Sequence, residues 1–213
     1  MEIHIWSDVV CPFCYLGKRR FEHVLAEFEH RDEIQVVHRA FQLDPSAPKD
    51  KTFDQVELLT KKYGVPAEQF AAQHAQLTQQ GQAEGIEYNF AGGRAGNTFD
   101  AHRLVRLGLD RGVQDAVIER FFRAHFTEQR SVFEADSLIA LAVEAGLDAD
   151  EARSVLTEEK YTAEINADAA QAQAYGANGV PFFVLDQRYG ISGAQPREAF
   201  QRTLAKAWAD HAG

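Results

Sequence analysis

Ile3-His4-Ile5-Trp6-Ser7-Asp8-Val9-Val10-Cys11-Pro12-Phe13-Cys14-Tyr15-Leu16-Gly17 is the stretch on which the reading of this chain turns. Its first residues read as a β-strand. From Pro12 the apolar residues Leu16, Phe21, Val24, Leu25 and Phe28 recur at helical spacing, as far as about His30. Both cysteines of the 213-residue chain fall at this junction. Two thiols with two residues between them, on the first turn of a helix, can close into a disulfide and reopen without rebuilding the fold. The unpaired N–H groups of that turn carry partial positive charge, so a thiolate on Cys11 would meet a favourable field. Such a helix end supplies roughly 0.3–1 kcal/mol, and about 2 when partly buried. Anything larger needs a neighbouring cation or a hydrogen bond. Pro12 suits the first helical position, where its missing N–H costs nothing.

Other chemistries fit less well. A zinc site needs two further ligands, and no second cysteine pair and no His-x₃₋₅-His pair stands in the sequence. A permanent disulfide suits an oxidising compartment, but the N-terminal residues lack the basic and small-residue pattern of a secretory signal. A cytoplasmic location is the expectation. Net charge −10 argues against a nucleic-acid partner, and no apolar run approaches the ~18 residues of a membrane span.

Ile34–Phe41 reads as a second strand, ended by Asp44-Pro45. About 130 residues then show only the helical period, with stops at Gly64, Gly112, Gly146 and Gly176. Asn97 and Asp136 are candidate helix caps. Strand character returns at Phe182–Leu185, turns at Gln187-Arg188 into Tyr189–Ser192, and Pro196 opens a last helix reaching about Trp208. This is β-α-β and then β-β-α, an α/β fold with a helical block inserted between its halves. The boundaries predicted are 1–45 with 177–213 for the α/β part and 46–176 for the insert.

Three segments carry a likeness to a known family: Ser7–Arg19, Gly176-Ala177-Asn178-Gly179-Val180-Pro181-Phe182-Phe183, and Gly190-Ile191-Ser192-Gly193-Ala194-Gln195-Pro196. With them the chain resembles the thioredoxin fold, and within it the DsbA-like thiol oxidoreductases of the FrnE-type subfamily. The same superfamily holds 2-hydroxychromene-2-carboxylate isomerases and kappa-class glutathione transferases. The resemblance implies a thiol-disulfide oxidoreductase, a disulfide reductase or isomerase, with Cys11 as nucleophile, Cys14 as resolving thiol and Pro181 as a cis-proline facing them. From the residues alone, Pro181 could equally begin an edge strand in trans. Pro12, Phe13, Tyr15, Val180, Asn97 and Arg94 are the candidate substrate-binding residues, although Asn97 also reads as a plain cap.

The pattern departs from the family at three points. The buried acid that thioredoxin and DsbA carry on the first strand is replaced by Ile5, leaving Asp8 either to substitute or to cap the helix. Phe13 replaces a histidine donor, so the expected potential lies between about −270 and −180 mV. Ala194-Gln195 stands where the glutathione-using relatives place Ser-Asp, which weakens the alternative of a glutathione-dependent isomerase or transferase acting on a small aromatic or polyketide-like molecule. Lys18 and Arg19 read as a solvated face. No metal and no resident cofactor is expected. Glutathione is a candidate reductant, a disulfide or thiol compound the substrate, and the protein a monomer or homodimer.

Overall fold

The computed structural model describes residues 1–64 and 66–212. Its contacts divide the chain into two compact units, Met1–Leu43 with Tyr161–Gly213, and Asp44–Lys160.

The first unit is built on β1 (Glu2–Ser7), buried from its second residue to its last. β1 pairs in parallel with β2 (Gln35–Ala40) and antiparallel with β5 (Phe182–Leu185), which pairs antiparallel with β6 (Tyr189–Ser192). The sheet order is β2-β1-β5-β6. Alternation along a strand sends successive side chains to opposite faces. Ile3, Ile5, Phe183 and Leu185 therefore meet Phe21 and Val24 of α1 (Pro12–Ala26) and Phe200, Leu204 and Ala207 of α9 (Arg197–Ala212). Burying each such large apolar side chain stabilises the fold by about 1.5–3 kcal/mol.

Trp6, Phe182 and Val184 face the other way, onto Ala172 of α8 (Thr162–Ala174) and Ala177. The Trp6 indole donates to the Asp168 carbonyl at 2.8 Å. The Asp168 carboxylate accepts from the Ala40 N–H at 3.0 Å and pairs with Arg39 at 3.2 Å. These bonds join α8 to the sheet. The chain thus changes unit between 160 and 161, whereas the sequence boundary at 176/177 left this helix in the insert.

The second unit holds α2 (Gln55–Tyr63), α3 (Ala67–Ala83), α4 (Phe99–Asp110), α5 (Gln114–Phe126), α6 (Ala135–Glu144) and α7 (Ala149–Thr157). Leu104, Val117, Ile118, Phe121, Phe122 and Leu138 are among its buried side chains. Arg103 is buried too, its guanidinium donating to the carbonyls of Val155 and Leu156 in the last turn of α7 and of Lys160 in the segment after it. The Val155 and Leu156 carbonyls are among those a helix cannot satisfy internally.

The structure corrects several sequence expectations. Phe53-Asp54 forms β3, paired antiparallel with β4 (Arg94–Ala95), inside the stretch that shows only the helical period in sequence. Two-residue strands are too short to show a period. α1 ends at Ala26, short of His30, and α9 runs beyond Trp208 to Ala212. Asp136 lies inside the first turn of α6 rather than capping it.

Candidate active site

The site grows from the β1–α1 junction. Cys11 is the N-cap of α1, in extended conformation, with Pro12 directly after it. Its carbonyl accepts from the Cys14 N–H at 3.0 Å, and its own N–H donates to the Asp8 carbonyl at 3.0 Å. Both thiols are free. Cys11 keeps 4% of its surface exposed and Cys14 none.

Burial pushes the Cys14 thiol well above the ordinary thiol range, and the hydrogen bond and charge of neighbouring Cys11 add to the rise. The Asp8 backbone bonds the Cys14 sulfur and opposes the shift, while the Asp8 carboxylate reinforces it. Asp8 is itself buried, and its Oδ2 accepts from the Leu43 N–H at 2.8 Å. It does not cap α1, which has no side-chain cap. The carboxylate ties the segment after β2 to the loop beneath the thiols.

Facing Cys11 is the approach to β5. The Val180–Pro181 peptide bond is cis, and the Cys11 sulfur lies 3.7 Å from the Val180 carbonyl oxygen. Two contacts from α1 hold this approach. Gly17 passes so close to it that a Cβ there would lie 2.9 Å from Pro181 Cγ. One turn on, the Arg20 guanidinium donates to the Ala194 carbonyl at 2.7 Å, and the adjoining Gly193 N–H donates to the Pro181 carbonyl at 2.8 Å. Gly193 takes φ +80°, the left-handed region that glycine enters without strain. One helix therefore carries the thiols at its start and braces the opposing loop along its length. Sequence reasoning passed over Gly17 and Arg20. The signal for Gly17 was present, because an isolated glycine inside a helical pattern marks a close approach.

Of the remaining predicted site residues, Phe13 is 37% exposed beside the thiols, and Tyr15 is buried with the Arg19 guanidinium 5.6 Å from its ring centre. Lys18 is not on a solvated face: its side chain is 2% exposed and pairs with Glu22. Its long apolar stem makes such burial tolerable where the ammonium keeps a carboxylate partner. Arg94 and Asn97 belong to the other unit. Arg94 donates to the Thr52 carbonyl and hydroxyl there, and borders a cavity with His125 and Arg130. Asn97 donates to the Ala47 carbonyl and accepts from the Phe99 N–H, so it does steady the start of α4.

The DSBA-like thioredoxin domain matches this chain over residues 2–205. The chain belongs to that family. A probable DsbA oxidoreductase from Streptomyces coelicolor is 48% identical, with a TM-score of 0.94 over 98% of this chain and 90% of that one. Two more distant structures share the fold. A 2-hydroxychromene-2-carboxylate isomerase is 17% identical at TM-score 0.74, over 100% of this chain and 98% of that one. The cytosolic disulfide reductase DsbM from Pseudomonas aeruginosa, solved with glutathione, is 18% identical at TM-score 0.69, over 98% of this chain and all of that one. The β-α-β and β-β-α halves of the first unit are the thioredoxin-like fold of the family. Its membership makes the chain an oxidoreductase of the thiol-disulfide class. Among the described residues no helix is long and apolar enough to cross a membrane.

Proposed function

We propose that this protein reduces or isomerises disulfides with Cys11 and Cys14 as its redox pair, in a reducing cytoplasmic setting. The observation that carries the reading is the pairing of a buried, raised Cys14 with a Cys11 whose sulfur reaches the loop at Val180. Cys11, as thiolate, attacks one sulfur of a substrate disulfide. The substrate S–S bond breaks, one substrate sulfur leaves as thiolate, and a mixed disulfide remains on Cys11. Cys14 then attacks the Cys11 sulfur, its proton passes to the departing second substrate sulfur, and the enzyme is left oxidised by two electrons. A thiol reductant of the glutathione class would return it to the dithiol form.

Burial keeps Cys14 protonated until the mixed disulfide is in place, which guards Cys11 against a competing anion. The Val180 backbone offers a short edge on which an extended substrate could lie like an added strand. Exposed Phe13 supplies an apolar contact beside it, with Pro12 and Tyr15 as further groove residues. The block at 44–160 is read as the helical insert of the family.

The second reading, a glutathione-dependent isomerase or transferase, draws only on shared fold. Ala194 carries no charge, and the Gln195 amide is spent on the Ser192 carbonyl at 2.8 Å. These residues do not suit a γ-glutamyl ammonium. The test is turnover of a disulfide-bonded peptide by the wild type, Cys11→Ser and Cys14→Ser proteins. Loss in Cys11→Ser and in Cys14→Ser supports the dithiol mechanism. Saturable glutathione binding with activity that survives Cys14→Ser would overturn it in favour of the second reading.

A further inference from the structure

The sequence contains four asparagines, and one of them, Asn178, precedes a glycine. The other three are held. Asn97 uses both ends of its amide, Asn89 accepts from the Ala91 N–H at 3.3 Å, and Asn166 lies within α8, where the backbone is fixed by the helix. Asn178 is exposed, and no partner among the described residues takes its amide or the Gly179 N–H. Gly179 also has open space around it, with nothing within 4 Å of where a Cβ would be.

The segment is free in its middle and pinned at both ends. The Ala177 N–H donates to the Ala172 carbonyl at 3.0 Å, and the Pro181 carbonyl accepts from Gly193 at 2.8 Å. Between those pins lie Asn178, Gly179 and Val180, and the Val180 carbonyl is the group that faces the Cys11 sulfur.

We propose that Asn178–Gly179 is a site of spontaneous deamidation whose product alters the loop facing the redox pair. The Gly179 amide nitrogen attacks Asn178 Cγ and gives its proton to solvent. The carboxamide C–N bond breaks, ammonia leaves, and a five-membered succinimide forms. Water opens the ring at either carbonyl, leaving an aspartyl or an isoaspartyl link. No electrons are exchanged, and water is the only co-reactant. Both products place a new carboxylate in the loop opposite Cys11, which works against an anionic sulfur there. The isoaspartyl form also adds one main-chain carbon between two fixed points, and Val180 must absorb it. The chemistry stands apart from the proposed function, and its consequence for turnover rests on that reading.

The experiment ages the full-length reduced protein at mildly alkaline pH and follows the peptide carrying Asn178 by mass spectrometry. Samples are assayed in parallel for disulfide-peptide turnover and for the rate at which iodoacetamide alkylates Cys11. The expected result is a gain of about one dalton at Asn178, with isoaspartate present, several times faster than at Asn89, Asn97 or Asn166. Alkylation and turnover should fall in step with it. Gly179→Ala, which the open space admits, should slow the mass gain roughly tenfold by hindering ring closure and preserve both readouts. If Asn178 deamidates no faster than the other three, the site is refuted. If it deamidates while Cys11 alkylates as in fresh protein, the coupling to the redox pair is refuted. Fresh protein that turns over no disulfide would count against the functional reading alone, since mass gain and alkylation need no substrate.

Discussion

Replacing Gly17 by alanine tests whether α1 sets the position of the loop opposite Cys11. The new Cβ would lie 2.9 Å from Pro181 Cγ, 3.4 Å from Phe183 Cζ and 3.5 Å from Ala194 Cα. Carbon atoms in good contact sit at roughly 3.5–4.0 Å, so about 0.6 Å must be found toward Pro181. Phe183 is fully buried against Phe21 and Phe200 and has no room to yield. Ala194 is held by Arg20, so the displacement falls on Val180–Pro181. Two terms oppose each other in stability. Alanine in a helix interior gains about 1 kcal/mol over glycine, and overpacking a filled site costs about 1–3 kcal/mol. The net expectation is a loss between about 0 and 2 kcal/mol, with the protein still folded.

Function should suffer more, because a misplacement approaching 1 Å can lower a rate by as much as about a hundredfold. Turnover of a disulfide peptide should fall at least about tenfold, while alkylation of Cys11 by iodoacetamide, a probe that needs no loop, stays within about twofold. Thermal unfolding measures the stability part. Turnover in Gly17→Ala equal to wild type would refute the claim that this contact positions the loop.

Three further outcomes are expected. Arg20→Ala should speed amide exchange at Gly193 and lower turnover with Cys11 alkylation unchanged, and Arg20→Lys should restore part of it; exchange at Gly193 as slow as in wild type would show that Arg20 does not brace the loop. Because the folded Cys14 thiol is raised above its ordinary 9.0, its contribution is present below pH 9 and is lost as pH rises. Stability of the reduced protein should then fall by up to about 1.4 kcal/mol per pH unit, a slope that denaturant unfolding should find absent in Cys14→Ala. Hydrogen bonds from Arg130 and then Arg120 hold Glu144 down at about 2 from 4.5, so its stabilisation is full above about pH 4.5 and disappears as pH falls toward 2. At this exposed network Glu144→Gln should cost only about 0.5–1 kcal/mol at neutral pH, with the difference from wild type vanishing near pH 2 and shrinking in high salt.

The Cys-Pro-Phe-Cys stretch exposed the β1–α1 junction because its signals are local: a strand alternation, a proline at a helix start and two thiols on one turn. The paired strands after Pro181 were legible for the same reason, whereas Pro181 facing the thiols followed only from the family resemblance. What escaped the sequence depends on contacts distant in the chain. α8 joins the sheet unit through Asp168, which meets Trp6, Arg39 and Ala40 from more than 120 positions away, and nothing in its own helical period says so. Lys18 looked solvated because charged residues usually are, yet its ammonium found Glu22 and its stem was covered. Asp8 had the composition of a cap, but the Leu43 N–H claimed its carboxylate. The bracing of Pro181 by Gly17 and Arg20 needs the crossover topology before it can be seen at all.

The central claim is that Cys11 attacks and Cys14 resolves. The most direct measurement is the intact mass and peptide map of Cys14→Ser after exposure to one equivalent of a disulfide-bonded peptide. The account predicts one stable adduct of half the peptide, bound at Cys11 and released by a reducing agent, with no such adduct surviving on the wild type. Failure of the adduct to form would contradict it, as would a stable adduct on Cys14 in the Cys11→Ser protein.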